Sequence, residues 1–151
     1  MALLGSSALA AYPDKPIKVI VPFSPGGGTD LVARTLGVAM SDDLGQPIVI
    51  DNKPGGSTMV GTEALAKSPA DGYTLVVATL AHAVNPSLKT KLPYSQDKDF
   101  APVSMASTLP MGIFVGEKVN ANTLAELQQL ATKENLSYAT AGSGTPPSIT
   151  C

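Results

Sequence analysis

Chemistry that needs an imidazole or a thiolate has little to work with in this chain, where His82 is the only histidine and Cys151 the only cysteine. Zinc sites of the usual kinds draw on several such ligands, and a covalent nucleophile needs a base beside it. No metal, cofactor or catalytic group is therefore expected, and His82 reads as a residue of a loop or a pocket rim. Ser143 lies between Gly142 and Gly144, but Ala141 stands where a nucleophile elbow requires its first glycine. The phosphate-cradling patterns fail as well. Gly26 and Gly28 lead to Leu31 where the dinucleotide fingerprint needs a third glycine, and Gly56 and Gly61 have P-loop spacing with Thr62 in place of the lysine.

Arg34 is the only arginine, one helical turn after Asp30, so an i,i+4 ion pair on a helix surface accounts for it without a ligand. An acid would then have to be held by backbone N–H groups, hydroxyls and water. A carboxylate placed directly against Asp30 would be repelled unless water intervened or the ligand also carried a cation.

Three glycine- or hydroxyl-rich stretches offer such donors: Ser24 to Asp30, Thr79 to Asn85, and Thr140 to Pro147. Each is expected to follow the carboxyl end of a strand, the place where open α/β sheets bind ligands. At least two lead toward helix N-termini, which favour an anion.

The elements that would position them follow from hydrophobic period and turn chemistry. Ile17 to Phe23 predicts a strand stopped by Pro25 and the glycines, and Leu31, Val32, Leu36, Ala39, Met40 and Leu44 predict a helix ending at Gly45. Ile48 to Ile50 predicts a second strand, Lys53 to Gly56 a turn, and Met59 to Lys67 a helix with Ser57 as N-cap. Tyr73 to Thr79 predicts a third strand, and Asn85-Pro86 the start of a short helix. Strands are also expected at Val103 to Ser107, Ile113 to Val115 and Leu136 to Thr140, with a capping box at Thr123 to Glu126 opening a helix between the last two. Alternating strands and helices give the α/β class, with a mostly parallel sheet flanked by helices.

With 151 residues, 44% of them hydrophobic, the chain can bury one core but not two full domains. A net charge of -2 without a basic cluster argues against nucleic acid and anionic lipid. No stretch approaches the ~20 apolar residues of a membrane span, so no direct membrane insertion is expected. Met1 to Ala11 is uncharged and small or apolar, ending Ala8-Leu9-Ala10, which reads as the remnant of an export signal lacking its basic start.

Ordered blocks from Tyr12 onward carry a resemblance: Tyr12 to Ile17, Val21 to Asp30 with Ala33-Arg34, Asn52 to Gly56, Asp71 to Leu75, Asn85 to Leu88, Leu92 to Tyr94, Asp99 to Val103 and Tyr138 to Thr145. Together they resemble the Bug-type substrate-binding proteins of tripartite tricarboxylate transporters. The resemblance implies a periplasmic-binding-protein-like (type II) two-lobe clamp, truncated here. Residues 12–105 would form most of lobe 1, and residues 106–151 would begin lobe 2. It implies a small carboxylate ligand, namely a di- or tricarboxylate, an acidic amino acid or an aromatic acid, together with membrane transporter subunits as partners and a periplasmic location. The family's loops map onto Phe23, Ser24, Gly26, Gly27, Gly28, Thr29 and Asp30, onto Thr79, Ala81, His82 and Asn85, and onto Thr140, Gly142, Ser143, Gly144 and Thr145. Ser148 stands where many relatives have histidine. Two rival readings stay open, a non-functional remnant of such a protein and an α/β enzyme acting on a small acid.

Overall fold

The computed structural model describes residues 12–140 and 148. The export-signal reading of residues 1–11 and the expected binding residues Gly142, Ser143, Gly144 and Thr145 lie outside the described residues.

Three parallel strands form the sheet: β1 (Ile17–Val21), β2 (Ile48–Asn52) and β3 (Thr74–Val76), in the order β2-β1-β3. The central strand is the most apolar, as a parallel strand covered on both sides must be. Ile17, Ile20 and Val21 are almost wholly buried and only Lys18 is exposed. Register runs from Ile17 opposite Ile48 to Val21 opposite Asn52, and Ile20 stands opposite Val76. All three strands thus end at one edge of the sheet, so the segments that leave Val21, Asn52 and Val76 start side by side.

Helix α1 (Gly28–Leu44) follows β1 and ends at Gly45, whose left-handed φ of 67° is the ordinary helix stop. It packs closely on β2 because Gly37 has no side chain: a Cβ there would stand 3.3 Å from Ile48 Cγ2. A single 3-10 turn (Gly56–Thr58) leads into α2 (Met59–Ala66). Gly61 brings α2 against the strand ends, where a Cβ would meet Pro22 Cβ at 2.8 Å and Lys53 O at 3.1 Å. At the opposite edge Tyr12 donates to Gly72 O at 2.8 Å, and Tyr73 donates to Asp14 at 2.6 Å. These bonds latch the chain entering β1 to the chain entering β3.

Several sequence expectations need correction. Ser57 does not cap α2; Thr58 takes the N-cap place with a left-handed φ of 76° and makes no side-chain cap bond. The third strand is confined to Thr74–Val76, with one further bond from Val77 N to Ile20 O. The stretch read as a loop from Thr79 to Asn85 is mostly helix, α3 (Leu80–Leu88), with Asn85 and Pro86 inside it rather than at its start. Leu80 to Val84 are compatible with a helix and Thr79 supplies the extended N-cap conformation. Pro86 sits in the last turn, where its missing N–H forfeits a single bond.

None of Val103 to Ser107, Ile113 to Val115 or Leu136 to Thr140 is a strand. Their β-branched and apolar residues meet no neighbouring ladder among the described residues, and Val103, Met105 and Phe114 are more than four-fifths exposed. A strand is a pairing, and composition alone does not supply the partner. Helix α4 (Leu124–Ala131) forms as expected, with a capping box in which Glu126 N donates to Thr123 Oγ1 at 3.2 Å and Thr123 N to Glu126 Oε2 at 3.1 Å.

Candidate functional site

The segments leaving β1 and β2 enclose a cleft of about 500 Å³, lined by Pro22, Phe23, Ser24, Pro25 and Gly27 on one wall and Pro54 to Thr58 on the other. That lies within the roughly 300–1,000 Å³ of small-molecule sites. Sequence reasoning found the first wall and missed the second. The turn at Lys53 to Gly56 was legible, but not that parallel register would bring it beside Ser24.

The first wall is built around Asp30. Its side chain is 4% exposed, and it accepts from Arg34 Nε at 2.9 Å, from Gly26 N at 2.9 Å and from Asn52 Nδ2 at 2.9 Å. The Arg34 hydrogen bond, then the Gly26 amide and Asn52, hold its carboxyl well below the usual carboxylate range. Both oxygens are engaged inward, so the expected repulsion of an acid by Asp30 is balanced within the protein. The expected surface pair with Arg34 is in fact one part of a clasp. Asn52 adds Nδ2 to Phe23 O at 3.1 Å and accepts from Arg34 Nη2 at 3.0 Å. With Gly26 turned at φ 89° and Gly27 as the extended N-cap, the first amides of α1, from Gly28, Thr29 and Asp30, have no carbonyl one turn back to accept them. Leu109 reaches this point: a Cβ on Gly28 would lie 3.7 Å from its Cδ1.

The second wall is held in an unusual backbone. Gly55, Gly56, Ser57 and Thr58 all have positive φ, at 127°, 56°, 56° and 76°. Glycine takes this freely, but Ser57 and Thr58 do so at a cost of about 1–3 kcal/mol each. Consecutive strained residues beside a cleft are a signature of a shaped site, and no residue type in the sequence announced it.

The remaining candidates fall in different places. Thr79 stands at the N-cap position of α3 without a side-chain cap bond, and Ala81 and Asn85 are wholly buried within that helix, with Asn85 Nδ2 donating to Ser57 O at 2.9 Å. His82 is half-buried among aromatics, edge-on to Phe100 at 4.9 Å and 6.3 Å from the Tyr94 ring, and burial pushes its imidazole below the ordinary histidine value. Its ring packs against Phe100 and Tyr94. Thr140 is half-buried, but the rest of its loop lies outside the described residues. A second hollow of about 420 Å³ lies between α1 and β2, lined by Arg34, Gly37 and Ile50 among others, and contains none of the strand-end loops.

Among the described residues no cationic side chain lines the cleft, so an anion there would be met by main-chain amides and by hydroxyls such as that of Ser24. Among the described residues no group of three His, Cys, Asp or Glu gathers to hold a metal, and no helix is long and apolar enough to cross a membrane.

Comparison with known proteins identifies the family. The family model for the tripartite tricarboxylate transporter family receptor, TctC, matches residues 32–151. BugT of Bordetella pertussis is 43% identical over 118 residues, which is 77% of this chain and 36% of BugT. Among solved structures, MatC (Rpa3494) from Rhodopseudomonas palustris with bound malate is 34% identical with a TM-score of 0.74, covering 80% of this chain and 42% of MatC. Rpa4515 from R. palustris with adipate is 29% identical with a TM-score of 0.76, covering 89% of this chain and 46% of that protein. The chain therefore spans less than half the length of each, and its α/β fold with a parallel sheet is the periplasmic-binding-protein one.

Proposed function

The chain belongs to the tripartite tricarboxylate transporter receptor family, and on that premise we propose that it binds a small carboxylate in the cleft between Phe23–Gly27 and Pro54–Thr58. In this reading it captures solute in the periplasm for membrane transporter subunits. The observation that carries it is a cleft walled by main chain, beside the N-terminus of α1, whose neighbouring carboxylate, Asp30, is already neutralised. Such a wall can donate several N–H bonds to an acid without a buried cation to desolvate. Malate in MatC and adipate in Rpa4515 support dicarboxylates as the first ligands to try.

Residues 12–105 correspond in this reading to most of one lobe and residues 106–151 to the beginning of the other. Thr140 to Thr145 would face the cleft from the second lobe, and Thr79, Ala81, His82 and Asn85 would support the first from behind. Receptors of this kind gain affinity by closing two walls and expelling water.

The test is an NMR titration of the chain with malate, adipate, ATP and NAD. Shifts at Ser24, Gly27, Gly56 and Thr58 with the dicarboxylates, and none with the nucleotides, are expected. Saturable nucleotide binding, or dicarboxylate shifts confined to the α1–β2 hollow, would overturn the reading.

A further inference from the structure

We propose that Asn52 and Asn85 are a matched pair of positioning residues, each fixing one wall of the cleft by donating its side-chain N–H to a main-chain carbonyl of that wall. The proposal rests on the reading of the cleft as the ligand site. Asn52 Nδ2 bonds Phe23 O at 3.1 Å and Asp30 Oδ1 at 2.9 Å, which ties the end of β2 to the first wall. Asn85 Nδ2 reaches from α3 to Ser57 O at 2.9 Å, which holds the second wall.

Only a carboxamide fits the first place. Phe23 O and Asp30 Oδ1 both need a donor, while Arg34 Nη2 needs an acceptor, and Asn52 Oδ1 accepts from it at 3.0 Å. An aspartate could satisfy Arg34 but would face Asp30 and leave the Phe23 carbonyl unbonded. The second place has a different demand. Ser57 stands at φ 56° and ψ 48°, a region that a non-glycine residue keeps only when its surroundings over-determine it. The bond from a fully buried carboxamide supplies that determination. Asn85, with no exposed surface, acts on a ligand through Ser57 rather than by touching it.

The two walls are thus held independently, one from the sheet and one from α3. A ligand that bridges them meets groups already in place, and the ordering cost of binding falls.

The test uses the whole chain unaltered, as Asn52→Ala and as Asn85→Ala, with amide exchange read residue by residue and malate then titrated in. In Asn52→Ala, exchange at Gly26, whose N–H is bonded to Asp30 Oδ2, should rise about tenfold, while Lys18 and Val77 in the sheet ladder stay protected. In Asn85→Ala the rise should fall on Met59, whose N–H closes the 3-10 turn on Gly56 O, and on Val60, whose N–H bonds Gly55 O, with Gly26 unchanged. Malate affinity should weaken about tenfold in either. Exchange that rises uniformly across the sheet, or not at all at these amides, overturns the proposal. Should Asn85→Ala not fold, adding Ser57→Gly, which relieves the left-handed strain, must restore folding; continued unfolding overturns it. If exchange responds as stated but malate binds no form of the chain, the pair still positions the walls, and it is the ligand reading that falls.

Discussion

Ile17–Val21 and Ile113–Val115 are both short runs of β-branched and apolar residues and end in opposite states. The first is a buried strand with a parallel neighbour on each side. The second is exposed chain in which Phe114 is 92% accessible. Local preference is comparable, so the difference lies in partners. Ile17–Val21 meets Ile48–Asn52 and Thr74–Val76 through connections that carry α1 and α2, whereas the later stretch meets no ladder among the described residues. The cleft sits on the partnered side, where the ends of β1 and β2 hold its walls side by side.

Truncating one apolar side chain in each region should give the largest contrast. Ile20→Ala removes a side chain that is 1% exposed, and a loss of about 2–5 kcal/mol is expected from its burial and the cavity left behind. Phe114→Ala should change stability by no more than about 0.5 kcal/mol, since little is packed on it. Urea unfolding of the two variants checks this. A comparable loss in Phe114→Ala would mean that the later stretch has a partner after all.

Gly61→Ala probes the partnered region at its tightest point. The new methyl would press on Pro22 and on the Lys53 carbonyl, both backbone-bound, so relief by a rotamer change is not available. Overpacking of this kind costs about 1–3 kcal/mol, and because Pro22 and Lys53 lead into the two walls, the cleft should distort with it. Malate titration beside thermal unfolding would separate the two effects. Unchanged stability would show that α2 can move away at no cost.

The sequence was most informative where one residue type answers to one local demand. Gly45 ending α1, the Thr123–Glu126 capping box and the three short apolar strands of the sheet were legible because each depends on its own neighbours. So was the Asp30 to Arg34 spacing, though not its burial. The second wall was not legible, because nothing in Ser57-Thr58 encodes left-handed φ, and the bond to Ser57 O comes from Asn85, 28 residues further along the chain. Thr79–Asn85 was misread for the opposite reason. Asn85-Pro86 is a good helix start locally, but the helix had already begun at Leu80.

A smaller effect comes from acid. The carboxyl of Asp30 is held below its ordinary range, so the folded chain binds its proton later than the unfolded chain does. Its contribution is fully present above the unfolded value of about 3.9 and is lost as pH falls through the lower folded value. Asp30→Asn should therefore be less stable than the unaltered chain from pH 7 to about pH 5, and the gap should narrow below about pH 4. A gap that is independent of pH would mean that the clasp stabilises by shape and not by charge.

The smallest change should come from the one element of the later region that forms on its own account. Helix α4 is eight residues long, none of them buried, so it has no core to lean on. An isolated helix of this length is marginal in water, because nucleation costs more than two turns of hydrogen bonds return. What holds it is its start, where Thr123 and Glu126 satisfy each other's amides and Glu126 also accepts from Asn122 N at 2.7 Å. Those backbone bonds keep the Glu126 carboxyl below its usual range, and an acidic group in the first turn also suits the helix dipole. Thr123→Ala removes one half of the box, a change worth about 1 kcal/mol to a helix. In α1 such a loss would be absorbed by packing on β2, but here it should melt the helix locally. Exchange at the Leu127 amide, bonded to Thr123 O at 3.0 Å, should rise to the rate of unstructured chain, while the urea midpoint of the sheet stays put. A midpoint that fell with the helix would show the later region coupled to the sheet, and the contrast between the two regions would fail.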